Sequence, residues 1–167
     1  MSSKSISTEV ISNQILFIRG EKVMLDRDLA RLYGVTTFNL NKAVSRNLDR
    51  FPEDFMFRLD KKEFENLIFH FGISSWGGTR KLPRVFTEQG VAMLSSVLRS
   101  KQAVQVNIAI MRVFVKLRET LSLHKELAAK LKELEDKVEG SSKAIRAIFE
   151  TIRGLMNKKG GGNGEVV

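Results

Sequence analysis

The chain has 167 residues, 43% of them apolar, which is enough to bury a core. Its 28 Lys and Arg against 19 Asp and Glu give a net charge of +9, which suits a polyanionic partner such as nucleic acid and would also suit an anionic membrane surface. The absence of cysteine excludes disulfides and thiolate metal sites. Because no apolar run approaches the ~18 residues that span a bilayer and no export signal opens the chain, we expect a cytoplasmic protein without membrane contact.

The first predicted elements are two β-rich runs, which follow a polar N-terminal segment expected to be mobile. Residues 15–19 and 22–25 flank Gly20 and Glu21, and a glycine at the first central position suits a type II′ turn. We therefore predict a β-hairpin ahead of the first helix.

A helix-turn-helix-like pair follows the hairpin. The carboxylate of Asp26 can accept amide hydrogens of a first helical turn, and Gly34 can end that helix in the left-handed conformation. Thr36 or Thr37 can then cap a second helix, which we expect to run to about Leu48.

The second helix has an apolar and a polar side when successive residues are placed about 100° apart around the helix axis. The apolar side is predicted to hold Leu40, Ala43, Val44, Asn47 and Leu48, and the polar side Phe38, Asn39, Lys42, Ser45 and Arg46. Amide, hydroxyl and cationic groups of this kind bond base edges and phosphates when a helix enters a major groove. An ordinary solvated helix face would show the same pattern, so the helix alone does not decide.

Short strands and helices complete the predicted N-terminal domain. Residues 55–59 alternate as a strand, with Phe55, Phe57 and Leu59 on one face, and residues 60–63 resemble a capping box that starts a helix to about Phe71. Val85 and Phe86 form a further strand, after which Thr87 caps a helix with Val91, Leu94 and Leu98 on its apolar face. The pattern predicts a domain of short strands and helices.

The segment from Gly72 to Pro83 breaks this periodicity and is the best candidate for a basic loop. It combines glycines with Trp76, Arg80 and Lys81, and Arg84 follows just beyond it. Such a loop can follow a sugar-phosphate backbone while an exposed indole stacks on nucleic acid. The alternative is that the tryptophan closes an edge of the core.

A long helix is predicted from Lys101 to about Gly140. Its heptad stripe consists of Ile110, Leu117, His124, Leu131 and Val138, with Val113, Thr120, Leu127 and Leu134 three residues further on. A narrow apolar stripe needs another helix to cover it, so we predict a dimer or higher homo-oligomer, although the helix could instead fold back on its own domain. The mixed charges of residues 122–140, four lysines and five acidic residues, suit a coiled coil.

A final amphipathic helix is predicted after Gly140, capped by Ser141 or Ser142. One of its faces carries Ile145, Ile148, Phe149, Ile152 and Leu155. We expect three regions: residues 8–121 as the globular domain, 122–157 as a helical oligomerisation region and the glycine-rich 158–167 as a disordered tail.

Groups that would indicate an enzyme are missing from the pattern. His70 and His124 have no cysteine, phosphate-cradling glycine loop or metal-ligand spacing beside them, so we expect no catalysis, no cofactor and no metal. Asp26, Asp28, Glu53 and Asp54 could be imagined as a nuclease-type metal cluster, but capping and turn roles explain them more simply.

Four stretches resemble the KilA-N superfamily, in particular its bacterial and phage "ORF-six N-terminal domain" branch. They are MLDRDLARLYGV, LNKAVSRNLDRFPEDFMFRL, WGGTRKLPRVFTEQGVAML and NIAIMRVFVKLRE, and they carry a resemblance that extends over about residues 11–121. The resemblance implies an α+β DNA-binding domain of the kind found in phage and prophage regulators and antirepressors.

The residues expected to contact DNA lie on the second helix and in the basic loop. They are Thr37, Asn39, Asn41, Lys42, Ser45, Arg46, Arg80, Lys81 and Arg84. We expect a sequence-specific, dimeric duplex DNA-binding regulator or antirepressor; the alternative is an antirepressor that captures a repressor protein and has little DNA affinity of its own.

Overall fold

The computed structural model describes residues 7–71, 81–137 and 143–160. Its fold is α+β, as predicted. The elements in chain order are α1 (Thr8–Gln14), β1 (Leu16–Ile18), β2 (Glu21–Leu25), α2 (Asp26–Tyr33), α3 (Thr37–Ser45), a 3-10 turn (Leu48–Arg50), β3 (Met56–Arg58), α4 (Lys61–Phe71), β4 (Arg84–Thr87), α5 (Glu88–Leu94), α6 (Lys101–Lys137) and α7 (Lys143–Gly160).

The four strands form one antiparallel sheet in the order β1-β2-β4-β3. Because β4 lies between β2 and β3, a strand late in the sequence is placed at the centre of the N-terminal unit. Val23, Leu25 and Val85 share one face of the sheet, while Met24 and Phe86 point to the other, and all five are buried. Both faces of the central strands are therefore covered.

The predicted hairpin is confirmed, but the predicted type II′ turn is wrong. Ile18 pairs with Glu21, so the central turn residues are Arg19 and Gly20, whose φ values of 56° and 75° correspond to type I′. The guanidinium of Arg19 donates two hydrogen bonds to the carboxylate of Glu63, at 2.8 and 2.7 Å. These bonds lower the pKa of Glu63 below its ordinary value.

The predicted capping box at the start of α4 is confirmed. The amide of Glu63 donates to Asp60 Oδ1 at 2.7 Å, and the amide of Asp60 donates to Glu63 Oε1 at 2.9 Å. From this start, α4 places Leu67 in a core cluster with Leu16, Ile18, Val23, Leu25, Leu59 and Val85.

Three helices of the N-terminal unit differ from the sequence prediction. α1 was not predicted, because only Ile11 of its residues is buried and so its apolar pattern is weak. α3 ends at Ser45, and Leu48 is 52% exposed instead of lying on the apolar side. α5 ends at Leu94, short of the predicted Leu98, where local turns replace the helix.

The chain divides between Val113 and Phe114, inside α6 and several residues before the predicted boundary at 121. In the C-terminal unit Leu131 is buried, whereas Leu127 and Leu134 are about half exposed. Arg153 of α7 forms an ion pair with Glu135 of α6.

The end of the predicted stripe, Val138, and the predicted caps, Ser141 and Ser142, lie outside the described residues. α7 runs to Gly160, and the remainder of the predicted tail is likewise outside them. None of the helices within the described ranges is long and apolar enough to cross a membrane.

Candidate nucleic-acid interface

The helices α2 and α3 are joined by a tight turn that follows from its local sequence. Gly34 ends α2 with φ 72°, as predicted, and Thr36 caps α3 by accepting the amide of Asn39 at 3.0 Å. The N-cap position of α2 belongs to Leu25, but Asp26 still accepts a first-turn amide, that of Arg27, at 2.7 Å. The carboxylate therefore accepts a first-turn amide as predicted, but from the first residue of the helix and not from the N-cap position.

The buried and exposed faces of α3 are largely those predicted. Leu40 and Val44 are fully buried and anchor the helix. The residues turned to solvent are Phe38, Asn39, Lys42, Ser45 and Arg46, and the phenyl of Phe38 is 73% exposed. Because two apolar anchors hold the helix, its polar face is presented on a rigid support.

A cleft of about 440 Å³ lies beside α3. One wall consists of Thr37, Phe38, Asn41 and Ser45 from α3; the remaining lining residues are Asp26, Arg27, Arg58, Lys81, Leu82, Pro83 and Arg84. Four cationic side chains thus surround one carboxylate, so the charge of the lining is positive.

The buried carboxylate of Asp26 organises the floor of this cleft. Its Oδ2 accepts the side-chain amide of Asn41 at 2.9 Å and the backbone amide of Arg84 at 3.2 Å. Together with the bond from Arg27, the carboxylate receives three N–H donors. A buried charge of this kind is tolerated because it is hydrogen-bonded on both oxygens.

The guanidinium of Arg84 is directed inward to α3. Nη1 donates to the backbone and side-chain oxygens of Asn41, at 3.1 and 3.2 Å, and Nη2 donates to Ser45 Oγ at 3.1 Å. Burial lowers the pKa of Arg84, and the nearby charge of Arg58 lowers it further. Arg84 therefore ties α3 to the central strand of the sheet.

The residues predicted to contact DNA thus fall into two sets. Asn39, Lys42 and Arg46 are exposed and do not line the cleft, whereas Thr37, Asn41, Ser45, Lys81 and Arg84 line it. Arg80, Trp76 and most of the predicted basic loop lie outside the described residues.

Sequence reasoning missed three side chains of this region. Phe38 was placed on the polar face without a role, and Arg27 and Arg58 were not singled out. Arg58 donates from Nη1 to the carbonyl of Leu82 at 2.8 Å, which holds its side chain at the cleft. The alternation of β3 turns Arg58 away from Leu59, but no local signal brings it close to α3.

Among the described residues, no three His, Asp or Glu side chains gather as metal ligands. The family model of the ORF6N domain matches residues 13–97, just over half of the chain. The match begins in α1 and ends after α5, so it includes α3 and every residue that lines the cleft. No curated protein and no solved structure matches the chain significantly.

Proposed function

Because the chain belongs to the ORF6N domain family, we propose that it binds duplex DNA as a phage-type or prophage-type regulator in the cytoplasm. We further propose that the family is a branch of the KilA-N superfamily, on the strength of the four stretches quoted above. In this proposal the protein acts without catalysis, metal or cofactor, and the N-terminal unit reads the DNA.

The observation that carries the proposal is the exposed face of α3. Arg46, the residue directly after α3, lies about one helical turn beyond Lys42, and Asn39 precedes Lys42 by three residues, so all three can meet one groove. An amide can bond a base edge, while the two cations can bond phosphates or guanine. The sequence-specific part of binding is assigned to this face.

The surrounding charge supports the same proposal. Residues 1–121 carry 19 Lys and Arg against 12 Asp and Glu, so most of the basic surplus lies in the part of the chain that contains α3. A cationic surface attracts DNA by releasing condensed counterions, which makes binding steeply dependent on salt.

The first test compares two double variants of the full chain in a duplex titration at several salt concentrations. Lys42→Ala with Arg46→Ala removes two exposed cations from α3 and its C-cap, and Lys61→Ala with Lys62→Ala removes two exposed cations from α4. We expect the α3 variant to bind about tenfold or more weakly and to lower the log–log salt slope by roughly 1 to 2, since each phosphate contact contributes about 0.9.

The α4 variant is the matched control because it loses the same net charge. Equal weakening in both variants would show a general attraction between the basic protein and DNA, and would contradict the role given to α3. Unchanged binding in both would contradict it as well.

The alternative function is that of an antirepressor that captures a repressor protein through its C-terminal helices. The half-exposed Leu127 and Leu134 of α6 could serve such a contact. The same titration separates the two functions, because a pure protein that only captures a repressor would not bind duplex DNA tightly at physiological salt.

A further inference from the structure

The cleft beside α3 has the dimensions of a small-molecule site. Its volume of about 440 Å³ falls within the roughly 300–1,000 Å³ of ligand pockets in proteins, and it is larger than a single phosphate requires. A ligand that fills it must therefore carry more than an anionic group.

The cleft offers three kinds of recognition group. Phe38 contributes an aromatic ring that is 73% exposed, and Thr37 and Ser45 contribute hydroxyl groups that can donate and accept. Lys81 and Arg58 contribute positive charge. A nucleotide carries a part that matches each of these groups: a planar base, the hydrogen-bonding edges of that base, and an anionic phosphate.

We propose that this cleft binds a nucleotide, with its base stacked on Phe38 and its phosphate paired with Lys81 and Arg58. The inference rests on the proposed nucleic-acid function when the nucleotide belongs to a DNA strand, and it is independent of that function when the nucleotide is free. In either case the ligand contacts α3, the helix assigned to DNA reading.

The internal hydrogen bonds of the cleft favour this assignment. Asp26 accepts three N–H donors and Arg84 is engaged with α3, so the floor is held in place before a ligand arrives. Pre-ordered polar groups lose little entropy on binding. The cationic lining residues outnumber Asp26, the one carboxylate of the lining, and make the cleft attractive to a phosphate.

The test for a free nucleotide is a calorimetric titration of the full chain with each of the four deoxynucleoside 5′-monophosphates, with thymidine and with inorganic phosphate. We expect at least one monophosphate to bind about tenfold more tightly than thymidine or phosphate. Phe38→Ala should weaken that binding about tenfold or more, because it removes the stacking surface. Lys81→Ala should weaken it through the lost phosphate contact.

Two matched variants control for general effects of these changes. Phe69→Ala removes another exposed phenyl, 87% exposed on α4, and Lys62→Ala removes another exposed lysine; neither residue lines the cleft. Both variants should bind the nucleotide with the affinity of the wild-type protein.

The test for a nucleotide within a strand uses 2-aminopurine, placed in a single-stranded oligonucleotide and in a duplex. The wild-type protein should quench the fluorescence of 2-aminopurine, Phe38→Ala should lose this quenching and Phe69→Ala should keep it. This result would identify a nucleic-acid strand as the source of the bound nucleotide even if free nucleotides do not bind. Phosphate binding as tight as that of every monophosphate, or no effect of Phe38→Ala in either experiment, would overturn the proposal. The affinity of the same protein variants for an unlabelled duplex tests the proposed function separately.

Discussion

At the scale of single residues, the hydrogen bonds of the Arg84 guanidinium indicate a structural role for this residue. Its position after a basic loop predicts a contact with DNA, and its guanidinium also bonds Asn41 and Ser45 within the protein. A guanidinium that is already paired within the protein contributes less to DNA affinity and more to the position of the helix it holds.

We therefore expect Arg84→Ala to lower the free energy of unfolding by about 1 to 3 kcal/mol, since it leaves the part-buried oxygens of Asn41 without their donors. Lys42→Ala, on the exposed face of the same helix, should change it by no more than about 0.5 kcal/mol. Urea unfolding of the two variants gives the comparison. Equal stability of both would show that the bonds of Arg84 contribute little to the fold.

At the scale of elements, the start of α5 is a tightly constrained junction. Thr87 caps the helix, as predicted, by accepting the amide of Gly90 at 3.3 Å. The carbonyl of Phe55 accepts the amide of Thr87 at 3.0 Å and lies directly against Gly90. A Cβ at position 90 would be only 1.9 Å from that carbonyl oxygen, so the junction requires glycine.

Gly90→Ala should consequently destabilise the protein by about 3 kcal/mol or more, because backbone atoms must move to admit the methyl group. Gly154→Ala provides the control: a Cβ there meets nothing within 4 Å, and alanine suits the interior of α7. Thermal unfolding should show a lower Tm for the first variant and an equal or higher Tm for the second. A first variant as stable as the unchanged chain would mean that α5 can shift freely.

At the scale of the whole molecule, the two helices of the C-terminal unit leave several large apolar side chains exposed. Leu127 and Leu134 lie on the predicted heptad stripe of α6, and Ile148 and Leu155 of α7 are more than half exposed. Full burial of one leucine is worth roughly 1.5 to 3 kcal/mol, so a second chain that covers these residues would gain several kcal/mol. The dimer or higher homo-oligomer remains our proposal.

Self-association can be tested by light scattering on the full chain. Leu127→Glu with Leu134→Glu should reduce the mass to that of one chain, because it places carboxylates on the stripe. Ser122→Glu with Ala129→Glu adds the same charge at exposed positions off the stripe and should leave the mass unchanged. A single-chain mass for the unaltered protein would contradict the proposal.

The sequence by itself determined the elements whose cause is local. The capping box of Asp60 and Glu63, the glycine end of α2 at Gly34, the Thr87 cap and the alternation of β3 each depend on residues within a few positions of one another. Side-chain spacing also predicted the buried and exposed faces of α3, since helical geometry alone relates spacing to direction.

Only the tertiary structure decided how the candidate site is assembled. Arg84 and Asp26 are 58 residues apart and Arg84 and Ser45 are 39 apart, so no local pattern could pair them. The same holds for the ion pair between Arg19 and Glu63, which are 44 residues apart. Spacing predicts which way a side chain points, whereas its partner depends on how the whole chain folds.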